Sequence, residues 1–251
     1  MNQIWPVDIQ EKKRMEFTID FPIHTYILCI DTATEICSVA LSDGAHILAF
    51  RSSQEGKSHA LTLLPYIEEV IKEANITAKQ LQAVALSSGP GSYTGLRIGT
   101  STAKGLCYAL EIPLIAVPTP QIIAAGARNN FPNASLFCPL IDARRMEVFT
   151  ALYNNELIAQ SEITSQIVNE EFILQFKNQN PVFCGNAVDK SIPILSKLSN
   201  AQYDHTPLSA CNMCALAFDK MQQHDYQDIA YFEPFYGKEY IAKKPSVKGL
   251  Q

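Results

Sequence analysis

Apolar residues recur along this chain in two rhythms. Between Tyr26 and Leu41, the stretch YILCIDTATEICSVAL holds two β-rich runs on either side of the turn-prone DTATE, which predicts a hairpin. HILAFRSS, residues 46–53, follows a turn at Ser42-Asp43-Gly44 and predicts a third strand. The rhythm then lengthens, and from Ser58 to Ala74 the positions Leu61, Leu64, Ile67, Ile71 and Ala74 recur at helical spacing. Pro65 belongs in or near the first turn of that helix, or kinks it. Leu81 to Ser88 predicts another strand, a glycine-rich loop follows, and Gly95 to Leu110 predicts a second helix.

This β-β-β-α-β-α order begins again after EIPLIAVPTPQ, read as a short bridge. LFCPLIDARRMEVFTALY (136–153) predicts a second hairpin-like pair, with a charged turn at Asp142 to Arg145. ELIAQSEIT reads as a third strand, residues 169–177 as a helix, PVFCGNAV (181–188) as a strand, and 188–198 and 208–222 as helices. The recurrence predicts an internal duplication of a mixed α/β unit. It places a first lobe at 26–112 and a second at 113–251, behind a leader at 1–25. Three readings fit that leader: a flexible arm, an edge strand, or residues upstream of a start at Met15.

Composition narrows the class. With 251 residues, 47% apolar and 18% charged, the chain has the balance of a globular protein with a full core. A net charge of −5 argues against a free-standing nucleic-acid binder, which needs clustered Lys and Arg. No apolar run reaches the roughly 18 to 20 residues of a membrane span. Seven cysteines, an odd number scattered through the expected strands and helices, read as reduced thiols of a cytoplasmic protein.

The stretch LSSGPGSYTGLRIGTSTAKGL, residues 86–106, packs five glycines between an expected strand and an expected helix. A P-loop needs Gly-Lys-Ser/Thr, but Lys104 precedes Gly105. A dinucleotide fingerprint needs G-x-G-x-x-G, but Gly89, Gly91 and Gly95 are spaced one residue too far. A nucleophile elbow needs glycines two positions either side of Ser92, where Pro90 and Thr94 stand. Two readings remain: a helix N-terminus capped by Ser92 or Thr94 and facing an anion, or glycines that let backbone pack closely.

The five histidines, at 24, 46, 59, 205 and 224, form no i, i+3 or i+4 pair. Cys211 and Cys214 form a C-x-x-C within an apolar helical pattern, which favours a core role. His59, at the start of the first helix, reads either as a polar end residue or as a functional group. Asp31-Thr32 with Thr34 at the hairpin tip is either a turn satisfying its own backbone donors or the phosphate-contacting device of an ATPase. Arg144 and Arg145 at the second tip are a solvated turn or a grip for a carboxylate or phosphate.

Taken together, IDTATEICSVALS, KSHALTLLP, LSSGPGSYTGLRIGTSTAKGL and IDARRMEVFTALY resemble the bacterial TsaB (YeaZ) family from Tyr26 onward. The resemblance implies a two-lobed actin/hexokinase-like (ribonuclease-H-like, duplicated) α/β fold. It implies a non-catalytic scaffold in tRNA N6-threonylcarbamoyladenosine (t6A37) modification. Such a scaffold pairs with the transferase TsaD, recruits the ATPase TsaE through that pair, forms a homodimer when TsaD is absent, and meets tRNA only within the complex. TsaD holds a metal through an H-x-x-x-H pair that this sequence lacks. No catalytic, cofactor-binding or metal-ligating residue is therefore assigned. The implied partner interface is a helical bundle of the first lobe, placed at Leu61, Leu64, Gly95, Arg97, Gly99, Ala103 and Leu106. Gly95, Gly99 and Ala103 would form a small-residue stripe open to the partner helix. The rival reading is an autonomous ATP-dependent small-molecule kinase of the same superfold.

Overall fold

The computed structural model describes residues 24–53 and 58–237. Of the expected leader only His24 and Thr25 are among them, and the rest lies outside the described residues. β1 (Tyr26–Asp31), β2 (Ser38–Asp43), β3 (His46–Ser52), β4 (Ala83–Ser87) and β5 (Leu114–Val117) form one sheet in the order β3-β2-β1-β4-β5. β1 runs antiparallel to β2 and parallel to β4.

The second half contains β6 (Leu136–Pro139), β7 (Ile141–Asp142), β8 (Glu147–Thr150), β9 (Thr164–Ile167), β10 (Pro181–Cys184) and β11 (Gln202–Asp204). They pair as β11-β10-β6 and β7-β8-β9. β6 and β7 are two parts of one path interrupted at Leu140, whose amide donates to the Cys184 carbonyl at 2.7 Å. Followed across that break, the order β9-β8-β7/β6-β10-β11 repeats the first sheet, antiparallel to β8 and parallel to β10. The duplication expected from the element order is thus present in the strand pairing.

Among the described residues six α-helices cover the sheets: α1 (His59–Glu73), α2 (Tyr93–Leu110), α3 (Thr119–Asn130), α4 (Glu170–Leu174), α5 (Val188–Leu195) and α6 (Cys214–Gln222). Strand residues alternate between faces. Leu28 and Ile30 point into a core under α1 and α2, while Ile27 and Cys29 point into a central core shared with α3, α6 and the second sheet. Cys138 and Phe183 point to a third core with α4 and α5. The layers therefore run helices, sheet, helices, sheet, helices. Among the described residues no helix is long and apolar enough to cross a membrane.

Three expectations change. EIPLIAVPTPQ is no bridge: it holds β5 and opens α3. Pro113 and Pro118 flank the short strand, and Pro120 takes the first turn of α3, where its missing N–H leaves no bond unmade. The strand expected at ELIAQSEIT begins only at Thr164. Before it, Asn154 accepts the Ile158 amide on its side chain and Leu157 sits at φ 62°, so the chain turns there. The third change concerns the glycine stripe. Gly95 and Gly99 are buried against the chain's own β1–β2 tip, and Ala103 is buried in the core beneath α2, not open to a partner. A Cβ on Gly95 would stand 2.1 Å from the Thr32 carbonyl, and one on Gly99 2.3 Å from Thr32 Oγ1. Leu106 is half-buried against the core beneath α2.

A Gly99→Leu substitution is therefore expected to lower stability by overpacking of about 1–3 kcal/mol or more, read as a fall of several degrees in calorimetric Tm. Gly105, on the opposite face of α2, meets nothing within 4 Å. Gly105→Ala is expected to hold or raise Tm, since alanine is favoured in a helix by about 0.5–1 kcal/mol. Equal Tm for Gly99→Leu and wild type would place the stripe outward again.

Candidate partner interface and the buried hairpin tip

The tip between β1 and β2 is clasped from three sides. Thr32 Oγ1 donates to the Gly95 carbonyl at 2.8 Å, and the Ser92 amide donates to the Ala33 carbonyl at 2.7 Å. From α1, His59 Nε2 donates to the Thr34 carbonyl at 2.7 Å. Ser92 caps α2 by accepting from the Gly95 amide at 3.3 Å. His59, read as a polar helix end, is thus a clasp of the tip, and the glycine loop is a close-packing joint.

Asp31 stands inside this joint. Its Oδ1 accepts from the Ala33 amide at 3.1 Å, whereas Oδ2 has no hydrogen-bond partner. Ser87 Oγ is also buried and unpartnered; it lies beside the carboxyl and stabilises its charge without reaching hydrogen-bond geometry. Desolvation dominates and pushes the Asp31 pKa up to about 6, against smaller lowering by Ser87, the Ala33 amide and His59.

The outer face of α1 and α2 differs. α1 buries Leu63, Ile67 and Val70 and leaves Leu61 77% and Leu64 55% exposed. The spacing read as one stripe is thus two, one on each side of the helix. Between the helices lies a shallow groove lined by Ala60, Leu64, Arg97, Ile98, Ser101 and Thr102. Tyr108, 82% exposed, continues this face along α2. Of the seven residues placed at the interface, the structure brings Leu61, Leu64 and Arg97 to this side. Ile98, Ser101 and Tyr108 were missed, although Arg97, Ser101 and Tyr108, at i, i+4 and i+11, share one helix side.

The C-terminal segment flanks the same helix. Lys104 Nζ donates to the Ala230 and Phe232 carbonyls at 3.3 and 3.1 Å. The Phe235 amide donates to the Ser88 carbonyl at 2.8 Å. Arg97 lies 4.6 Å over the Tyr93 ring, which packs against Tyr236 at 4.8 Å. A Cβ on Gly89 would come within 2.1 Å of the Phe235 carbonyl, so backbone covers this side of the glycine loop. In the central core Cys214 contacts Cys29, whose pKa that contact and burial hold well up. Among the described residues no group of three or more His, Cys, Asp or Glu could hold a metal ion.

Asp31 makes stability pH-dependent in a defined direction. Because its folded pKa lies above its unfolded value, its contribution is complete below the unfolded pKa, near 3.8, and is lost as pH rises through about 6. The loss amounts to about 3 kcal/mol at 1.36 kcal/mol per pH unit. Asp31→Asn should flatten the change in denaturant-unfolding free energy across this window. Parallel wild-type and variant curves would rule out the titration.

Comparison with known proteins agrees with the geometry. The family model for TsaD, tRNA N6-adenosine threonylcarbamoyltransferase, matches residues 51–230. The chain is 30% identical over 164 residues to the TsaB tRNA threonylcarbamoyladenosine biosynthesis protein of Bacillus subtilis, covering 64% of this chain and 70% of that one. It is 37% identical over 151 residues to its Escherichia coli counterpart, covering 59% and 64%. The alignment thus spans slightly less than two thirds of the second relative. The crystal structure of YeaZ from Pseudomonas aeruginosa superposes with a TM-score of 0.74 at 24% identity, covering 84% of this chain and 99% of that one. An activator of 2-hydroxyisocaproyl-CoA dehydratase from Clostridium difficile, with bound ADPNP, shares the actin/hexokinase-like fold at a TM-score of 0.50 and 9% identity. The chain belongs to the TsaB (YeaZ) family of the TsaD-like proteins.

Proposed function

We propose that this chain is a non-catalytic subunit of the cytoplasmic machinery that forms t6A37 in tRNA. Its partner is TsaD, and the pair recruits TsaE; without TsaD, two copies of the chain pair with each other. The observation carrying this reading is the outer face of α1 and α2, where Leu61, Leu64 and Tyr108 stand exposed beside an apolar groove with Arg97 at its edge. Large exposed apolar side chains flanked by an arginine are the composition of interface centres rather than of free surface. The face belongs to the first lobe, taken as residues 26–112 together with β5, which pairs with β4 in the first sheet. tRNA is met only in the complex.

The kinase reading needs an acidic residue open to a cleft on each lobe. Asp31 is fully buried, and Asp142, at the second tip, pairs with Lys190. Both facts weigh toward a scaffold.

Two tests follow. Leu61→Glu with Leu64→Glu should leave Tm within about 1 kcal/mol equivalent, because both sites are exposed. The pair should weaken TsaD binding at least tenfold, and t6A formation in a reconstituted assembly should fall with it. Unchanged affinity would move the interface elsewhere. Supplied with the threonylcarbamoyl-adenylate donor and tRNA but no TsaD, the wild-type chain should yield no t6A; product under those conditions would make it the catalyst.

A further inference from the structure

Residues 228–237 lie as a strap across the first lobe. The Ala230 and Tyr231 amides donate to Asp228 Oδ1 at 2.8 and 3.3 Å, which turns the chain, and Lys104 Nζ holds the Ala230 and Phe232 carbonyls. Ile229 and Phe232 pack beneath α2. Further on, the Phe235 amide bonds the Ser88 carbonyl, and Gly237 rests against the Phe149 ring of β8. Tyr236 thus stands between two anchors of the strap.

That position sets an arginine. Arg97 follows Tyr93 by one helical turn, so its guanidinium lies over the Tyr93 ring, 4.6 Å from the centroid. The Tyr236 ring closes on Tyr93 at 4.8 Å with the planes tilted by 44°. Its hydroxyl lies beside the guanidinium and raises the Arg97 pKa, more than Tyr93 or Glu233 does. A long side chain with many rotamers is therefore held by its neighbours before a partner arrives. Arg97 remains exposed and borders the α1–α2 groove, whose other lining residues are apolar or carry a hydroxyl, with no carboxylate among them.

A fixed cation beside an apolar groove calls for an acid from outside. On α1, Glu69 and Glu73 each pair with Arg51 at 2.6 Å, and Glu68 stands one turn past Leu64, outside the groove lining. Two copies of the chain related by a two-fold axis would set this groove against itself. Arg97 would then meet apolar side chains or the other Arg97, and its desolvation would go uncompensated. A different chain can bring the missing carboxylate.

We propose that the strap is a positioning device for partner choice: Tyr236 holds Arg97 against Tyr93 as a preset fork for a carboxylate of TsaD, which favours TsaD over a second copy. The inference rests on the proposed pairing with TsaD and names what the groove recognises there, an aspartate or glutamate flanked by apolar side chains. Guanidinium and carboxylate match through two parallel N–H···O bonds, and an arginine ordered beforehand loses less freedom in making them. The unmatched charge in the self-pair supplies the discrimination.

The test uses the full chain, titrated with TsaD and, separately, by itself across a concentration series. Arg97→Ala should weaken TsaD binding at least about tenfold and leave self-association unchanged or tighter. Tyr236→Phe keeps the ring and should keep Tm. It should weaken TsaD binding several-fold in the wild-type background and not at all in Arg97→Ala, whereas a merely structural tyrosine would act equally in both. In the free chain, NMR relaxation at Arg97 Nε should report an ordered guanidinium that Tyr236→Phe releases. Three results each overturn the proposal: additive effects of the two substitutions, an Arg97 Nε already mobile in the wild type, or equal losses in TsaD binding and self-association, as Glu68 of a second copy would produce. A wild-type chain that binds no TsaD sinks the proposed function instead, and the partner named here with it.

Discussion

Everything around the first lobe depends on the absence of two Cβ atoms. With Gly95 and Gly99 bare, α2 settles directly onto the β1–β2 tip, and the Thr32 hydroxyl reaches the Gly95 carbonyl at 2.8 Å. Each glycine costs a helix about 0.5–1 kcal/mol against alanine, and close approach with its buried hydrogen bond offsets that cost. The tip then becomes a fixed point. α1 is tied to it through His59 and the glycine loop through the Ser92 amide. The relative positions of α1 and α2, and hence the shape of the groove between them, follow from that clasp.

The same contact separates the two roles of α2. Its inner side, with Gly95, Gly99 and Ala103, is committed to Thr32 and the chain's own core, leaving Arg97, Ser101, Gly105 and Tyr108 on the outside. Glycine spacing by four shows that something comes close, but not which surface comes close. The small-residue stripe was therefore legible as a stripe and misplaced as an interface. Hydrophobicity could have corrected it: Leu63, Ile67 and Val70 already supply α1 with a full inner face, so Leu61 and Leu64 are surplus to the core. An apolar residue beyond what one face can bury is the stronger signal of a partner.

Much of the fold was readable for a similar reason. Strands whose alternate residues enter two different cores, such as Ile27 and Leu28, are apolar throughout, and their extent was clear in the run from Tyr26. β5 and the start of α3 were hidden because prolines at 113, 118 and 120 mark turns and helix starts alike. β6 and β7 read as one strand and in a sense are one, since only the side step at Leu140 divides them between two ladders. β11, three residues long, carries too little pattern to be seen. Of the candidate site, the exposed leucines and Arg97 were legible from type and spacing, whereas the burial of Asp31 depends on contacts between elements far apart in sequence.

That burial bears on what the chain can do. Asp31 keeps one oxygen without a hydrogen-bond partner, in surroundings that push its pKa to about 6. A carboxylate that must attract a metal or stabilise a phosphate needs to be ionised and approachable, and desolvation opposes the first while the α2 glycines and the Ala33 turn oppose the second. The hairpin tip that could serve as a ligand device is thus committed to holding helices together. Stability spent on an enclosed acid is consistent with a joint whose position matters more than its reactivity. The clasp at Thr32 thereby fixes the α1–α2 face in place.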